Sequence, residues 1–248
     1  MYLNDVHIMY YVLIGLIGLL VGQFTDWCNK RLPEYKKIFT KEIFEEYKKI
    51  CKPNYILMII TAIIYIVLLY VFGINDTLMG NIKLIKYLIL TPMLLSVVVI
   101  DYKLQIIPNR LNLTMFEIGI LFVFLQGMES TNIAIDGLLG MIVGGGIFLF
   151  ITLIGGLIAG KEAMGLGDVK LMGALGLFFG WVDMLIISVL AFLIGAILSI
   201  ILIVTKKKKT DEYIPFGPFI VIGTFLVMFI KSSYLIPILL EIFTLGMY

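Results

Sequence analysis

Apolar residues run along this chain in blocks of about 18–22 positions, separated by short polar segments; as helices, such blocks cross a hydrocarbon layer of roughly 30 Å. The blocks predict eight spans, near 7–24, 55–73, 82–100, 111–127, 134–158, 169–182, 184–204 and 214–230. The tail from Leu235 to Phe243 is apolar but short and reads as a final interfacial turn. The run from Ile8 to Phe24 lacks a basic n-region and an A-x-A-like cleavage site, so it reads as a retained first span. The predicted fold class is therefore an all-α, polytopic integral membrane protein.

The basic residues give this pattern a direction. Of 19 lysines and arginines, 16 fall in the loops at 30–53, 102–110, 159–170 and 206–209, which alternate along the predicted topology. Only Lys83, Lys86 and Lys231 fall on the other side. By the positive-inside rule the four basic loops are cytoplasmic and both termini are outside. In the first of them, Phe39, Ile43, Tyr47 and Ile50 recur at helical spacing among charges, which predicts a short amphipathic helix on the membrane surface.

Composition agrees. With 61% hydrophobic residues, 15% charged and a mean hydropathy of +1.07, there is too little charge to cover a soluble domain of 248 residues. The net charge of +2 does not point to nucleic acid. Cys28 and Cys51 form no C-x-x-C pair, so no zinc ligand set is present and no metal is predicted. Glycines four apart, Gly18/Gly22, Gly140/Gly144 and Gly156/Gly160, predict close helix contacts. The run Gly144-Gly145-Gly146 reads as helix packing in preference to a nucleotide loop.

Ionisable groups at membrane depth are expensive and mark function. Asp136 and Asp183 sit at outer helix boundaries, where a carboxylate is ordinary stabilisation. Glu117 lies a turn or two into span four, facing a polar interior or snorkelling to the surface. Asp101 and Asp168 differ: topology brings both to the cytoplasmic edge, although they are far apart in sequence. Span six, about 21 Å of helix, is too short for the layer, so either the membrane thins locally or its Asp168 end lies below the cytoplasmic surface in a wet cavity. Gly165 and Gly167 are assigned the freedom to unwind there. Two carboxylates at one wet site fit aspartyl-protease chemistry, in which the pair shares a proton and activates water. A buried Asp–Lys pair or a cation path fits the same placement.

Three segments carry a resemblance. "GKEAMGLGDVKLMGALGLFFG", Gly160 to Gly180, resembles the signature of the type IV prepilin peptidases, bacterial GxGD membrane aspartyl proteases. "IDYKLQIIPNRL", with Asp101 and Pro108, resembles the family's first aspartate box, and "IPFGPF", Ile214 to Phe219, resembles its I-P-F-G-P segment. "GLLVGQFTDWCNKRLP" resembles its N-terminal opening. The resemblance implies a GxGD fold in the bacterial cytoplasmic membrane, with Asp101 and Asp168 as the catalytic pair at the cytoplasmic face. It implies active-site support from Gly165, Gly167, Lys170 and Pro108. It implies a structural or substrate-docking turn at Pro215, Phe216, Gly217 and Pro218.

The implied substrates are type IV prepilins or pseudopilins, cut at their basic leader. The implied partners are those substrates and the lipid bilayer, with no nucleic acid; nothing in the sequence gives an oligomeric state. Proteolysis needs no cofactor. S-adenosylmethionine would be needed only for N-methylation of the new terminus, and the zinc module that accompanies that activity in longer members is missing here. The implied division is a reduced N-terminal part, 1–54, and a peptidase part, 55–248. Two other readings stay open: another GxGD protease, such as a preflagellin-type peptidase, and a proton-coupled transporter with the aspartates as a relay.

Overall fold

The computed structural model describes residues 2–4, 6–34, 52–160, 164–205 and 214–244. The predicted amphipathic helix at 39–50, Lys161, Glu162 and Lys206–Lys209 lie outside them. Among the described residues the fold is all-α, apart from a minimal antiparallel ladder of β1 (Tyr2–Leu3) and β2 (Val6–His7). Nine helices follow among these residues: α1 (Ile8–Arg31), α2 (Tyr55–Phe72), α3 (Ile82–Leu104), α4 (Asn109–Gly127), α5 (Thr131–Ala159), α6 (Leu166–Phe179), α7 (Trp181–Val204), α8 (Gly217–Phe229) and α9 (Ser232–Thr244).

Six of these, α1 to α5 and α7, are long and apolar enough to cross a membrane, and the protein is a multi-pass membrane protein. The spans predicted at 169–182 and 214–230 are shorter helices, α6 with 14 residues and α8 with 13. The tail read as an interfacial turn is a 13-residue helix, α9. Pro237 lies inside α9 without ending it.

The chain forms two compact units, 1–100 and 101–248, dividing within α3. In the first, α1 and α2 meet through glycine. A Cβ on Gly18 would lie 2.6 Å from Ala62 Cα, and one on Gly22 2.7 Å from Met58 Cα, so the backbones touch as the four-residue spacing predicted. Asn54 starts α2 by accepting from the Leu57 N–H, and its own Nδ2 donates to buried Asp26, which also pairs with Lys30 at 2.7 Å. Pro92 inside α3 removes the donor that the Leu88 carbonyl would use, and the Tyr65 hydroxyl donates to that carbonyl at 2.7 Å.

In the second unit α6 is the centre, packed against α4 and α5. Gly140 of α5 and Gly176 of α6 pass with no room for a side chain, since a Cβ on Gly176 would lie 2.2 Å from the Gly140 carbonyl. Gly144 likewise faces the Met172 carbonyl. The pair Gly156/Gly160 is different: Gly160 meets nothing within 4 Å and instead ends α5 in the left-handed region, at φ 65°. Asp136 and Asp183 are structural. Asp136 accepts from the Trp181 N–H at the start of α7, and Asp183 accepts from the hydroxyl of Ser232, the first residue of α9. Glu117 is exposed on α4 beside Ile120 and Leu121, so it faces outward and not into a polar interior.

Close backbone contact sets a stability prediction. Gly176→Ala should destabilise the protein by about 1–3 kcal/mol through overpacking against α5. Gly146→Ala, with open space around it, should be neutral or stabilising by up to ~1 kcal/mol through helix propensity. Thermal unfolding in detergent distinguishes them, and equal midpoints would contradict the contact.

Candidate active site

The last turn of α3 carries Asp101. The reading that put Asp101 at the helix end is corrected by one turn: α3 continues to Leu104, and Gln105 closes it in the left-handed region at φ 55°, its N–H donating to the Asp101 carbonyl at 2.9 Å. Buried Pro108, at φ −60°, is the N-cap of α4 and fixes the turn that follows. Asp168 is the third residue of α6, in the first turn of the helix, with Gly165 as N-cap.

Both aspartates are buried, Asp101 at 3% and Asp168 at 4% exposure, and both line one cavity of about 290 Å³. Gly165, Gly167 and Lys170 line the same cavity, together with Gln105, Ile107 and Asn109. The cavity is thus lined by two segments, 101–109 and 165–170, that lie at least 56 residues apart in sequence, and Pro108 is not among the lining residues.

The I-P-F-G-P segment joins it by a backbone group. The N–H of Gly217, first residue of α8, donates to Asp101 Oδ2 at 2.9 Å in a buried position. Phe216 holds this turn in place, packed against Phe148 of α5, Phe192 of α7 and Phe219. Pro215 and Pro218 flank the donor, Pro218 being the second residue of α8, where a missing N–H is tolerated. Asp168 Oδ1 is buried with no hydrogen-bond partner among the described residues. One carboxylate is therefore held by a donor, and the other presents a free acceptor.

Gly167 does not unwind the chain, since it lies within α6, whereas Gly165 precedes the helix in extended backbone at φ −69°, ψ 137°; neither takes a positive φ. A Cβ on Gly167 would stand 3.2 Å from Ile107 Cβ, so glycine there permits the aspartate turn to approach the chain after α3. The left-handed glycine of the region is Gly160.

Two residues escaped the sequence reading. Asn109 Oδ1 accepts from Lys170 Nζ at 2.8 Å, and Asn112 Nδ2 donates to the Gly167 carbonyl at 3.0 Å, bracing the turn before Asp168. Their signal was present: Asn109 directly after Pro108, and Asn112 one turn further at the start of a predominantly apolar helix. No group of three or more His, Cys, Asp or Glu among the described residues is placed to hold a metal. Gly144 and Gly145 lie inside α5 and face Met172 and Gly173 of α6, so these two glycines serve helix packing.

Residues 88–200 match the Type IV leader peptidase family. The chain is similar to the Prepilin leader peptidase/N-methyltransferase of Aeromonas hydrophila, 35% identical over 136 residues, which is 55% of this chain and 46% of that protein. It is 33% identical over 153 residues to the protein of that name from Legionella pneumophila, covering 62% of this chain and 52% of the relative. With that of Escherichia coli (strain K12) it shares 31% over 133 residues, 52% of this chain and 56% of the relative. The chain spans about half the length of the curated relatives it matches. No solved structure matches it.

The shared cavity makes a geometric prediction. With the native cysteines changed to serine, the double variant D101C/D168C should be captured by a short bifunctional thiol reagent. The pair D101C/F179C, with Phe179 about 16 Å of helix rise further along α6, should not. Capture of both pairs, or of neither, would contradict the arrangement.

Proposed function

We propose, from the premise that residues 88–200 belong to the type IV leader peptidase family, that this protein is a membrane aspartyl endopeptidase. The observation that carries the reading is the single cavity lined by two buried aspartates, Asp101 held by the Gly217 N–H and Asp168 with a free acceptor. Its substrates are type IV prepilins or pseudopilins, cut at the basic leader. The active site faces the cytoplasm from the bacterial cytoplasmic membrane, in a fold of the GxGD kind. The division into a reduced N-terminal part, 1–54, and a peptidase part, 55–248, belongs to the same reading.

The chemistry follows from the donors. A carboxylate that already accepts a backbone N–H has its charge compensated, which assigns Asp101 as the base. Asp101 takes a proton from water as the water oxygen attacks the scissile carbonyl carbon. Asp168, protonated, gives its proton to the carbonyl oxygen, and a tetrahedral diol forms. On collapse the C–N bond breaks, the proton held by Asp101 passes to the leaving nitrogen, and a diol hydroxyl returns its proton to Asp168. No covalent link to the enzyme forms. Lys170, held on Asn109 at the cavity edge, and Gly167, packed on Ile107, fix the walls around the pair. The step uses water alone and needs no cofactor.

Membranes containing the protein, mixed with a prepilin-like substrate from the same genome, provide the test by mass spectrometry. Wild type should remove the leader, whereas Asp101→Asn and Asp168→Asn should each lose at least ~10³-fold in rate while keeping the wild-type unfolding midpoint. The rate should fall at low pH, where both carboxyls are protonated, and at high pH, where both are ionised, giving a bell. Equal processing by all three proteins would refute the dyad.

A further inference from the structure

The aspartate cavity has a neighbour. A second cavity, about 430 Å³, is lined by Leu113 and Phe116 of α4, Met141 of α5, and Gly173 and Ala174 of α6. Asn109 and Lys170 line both cavities, so their hydrogen bond stands where the two adjoin. Beyond that pair, the one polar residue lining the second cavity is Asn112.

Asn112 is buried, at 4% exposure. Its Nδ2 donates to the Gly167 carbonyl, and this fixes the amide, because the flipped form would set oxygen against oxygen. Its Oδ1 is then left buried with no hydrogen-bond partner among the described residues. An acceptor kept in that state in an apolar wall is costly unless a donor arrives.

A peptide substrate brings such a donor. To expose its scissile carbonyl to two aspartates, the segment must be locally extended, and extension frees main-chain N–H groups that a helix would have satisfied. At membrane depth those groups need an acceptor from the enzyme. Resting on the peptidase reading above, we infer that the apolar groove holds substrate residues flanking the scissile bond, and that Asn112 Oδ1 accepts one of their main-chain N–H groups. The groove selects bulky apolar side chains, and the peptide passes over the Asn109–Lys170 pair to reach the aspartates. Asn112 thus ties substrate register to the Asp168 turn through the same amide that braces Gly167. A lipid acyl chain would also fill the groove but would leave the acceptor unmet.

The test pairs single backbone ester replacements along a synthetic substrate, each of which deletes one N–H, with wild type and Asn112→Leu. In wild type one ester position should raise KM by roughly 5- to 10-fold with kcat nearly unchanged. Asn112→Leu should raise KM for the all-amide peptide by a similar factor and be insensitive to that ester. Ester effects of equal size in both enzymes, or at no position, would overturn the inference and leave the peptidase reading intact, which is the outcome for a groove filled by lipid. Absence of cleavage by wild type would overturn that reading and this inference with it. Should Asn112→Leu fail to fold, Phe116→Cys decides. Its capture of a cysteine placed beside the scissile bond supports the groove, and absence of capture rejects it.

Discussion

A carboxylate buried in an apolar body must be met by a donor or give up its charge, and for Asp101 the donor is the main-chain N–H of Gly217. A helix start supplies N–H groups that no helical carbonyl can use, so α8 has to begin where Asp101 ends up. Pro218 removes the next N–H, and Phe216, wedged among Phe148 and Phe192, fixes the turn relative to α5 and α7. Asp168 also sits in the first turn of its helix. The two carboxylates therefore lie at the N-terminal, positive ends of two helices, which offsets part of the repulsion between them. Both helices are short, 14 residues for α6 and 13 for α8.

Much of this was legible in the sequence, and the rest was not for a physical reason. Apolar block length locates the long helices, and the alternation of basic loops assigns Asp101 and Asp168 to one edge, in keeping with the cavity they share. The four-residue glycine spacing found the α1–α2 and α5–α6 contacts. Spacing alone could not tell those from Gly156/Gly160, because the same spacing arises when one glycine ends a helix. The error over Gly167 is of this kind. Glycine serves both backbone freedom and close approach, and only the position of Ile107 shows which applies.

What the sequence hid is long-range. Asp101 and Gly217 are 116 residues apart, and Asn112 and Gly167 are 55 apart. A hydrogen bond over such a distance leaves no periodicity to read. The motif resemblance marked Gly217 without showing that its N–H, and not a side chain, does the holding. Asp26 was passed over because its partners, Asn54 and Lys30, are themselves ordinary polar residues near helix ends. Buried polar groups of this kind become visible only when their donors and acceptors are counted in the folded chain.

The central claim is that Asp101 and Asp168 act as one unit on a tetrahedral centre. The most direct measurement is the affinity of a substrate-like peptide whose scissile amide is replaced by a hydroxyethylene group, a mimic of that centre. The account predicts binding to wild type at least ~10²-fold tighter than the unmodified peptide, with the gain lost in both Asp101→Asn and Asp168→Asn. A mimic that binds no tighter than the amide, or that keeps its advantage when either aspartate is changed, would contradict it.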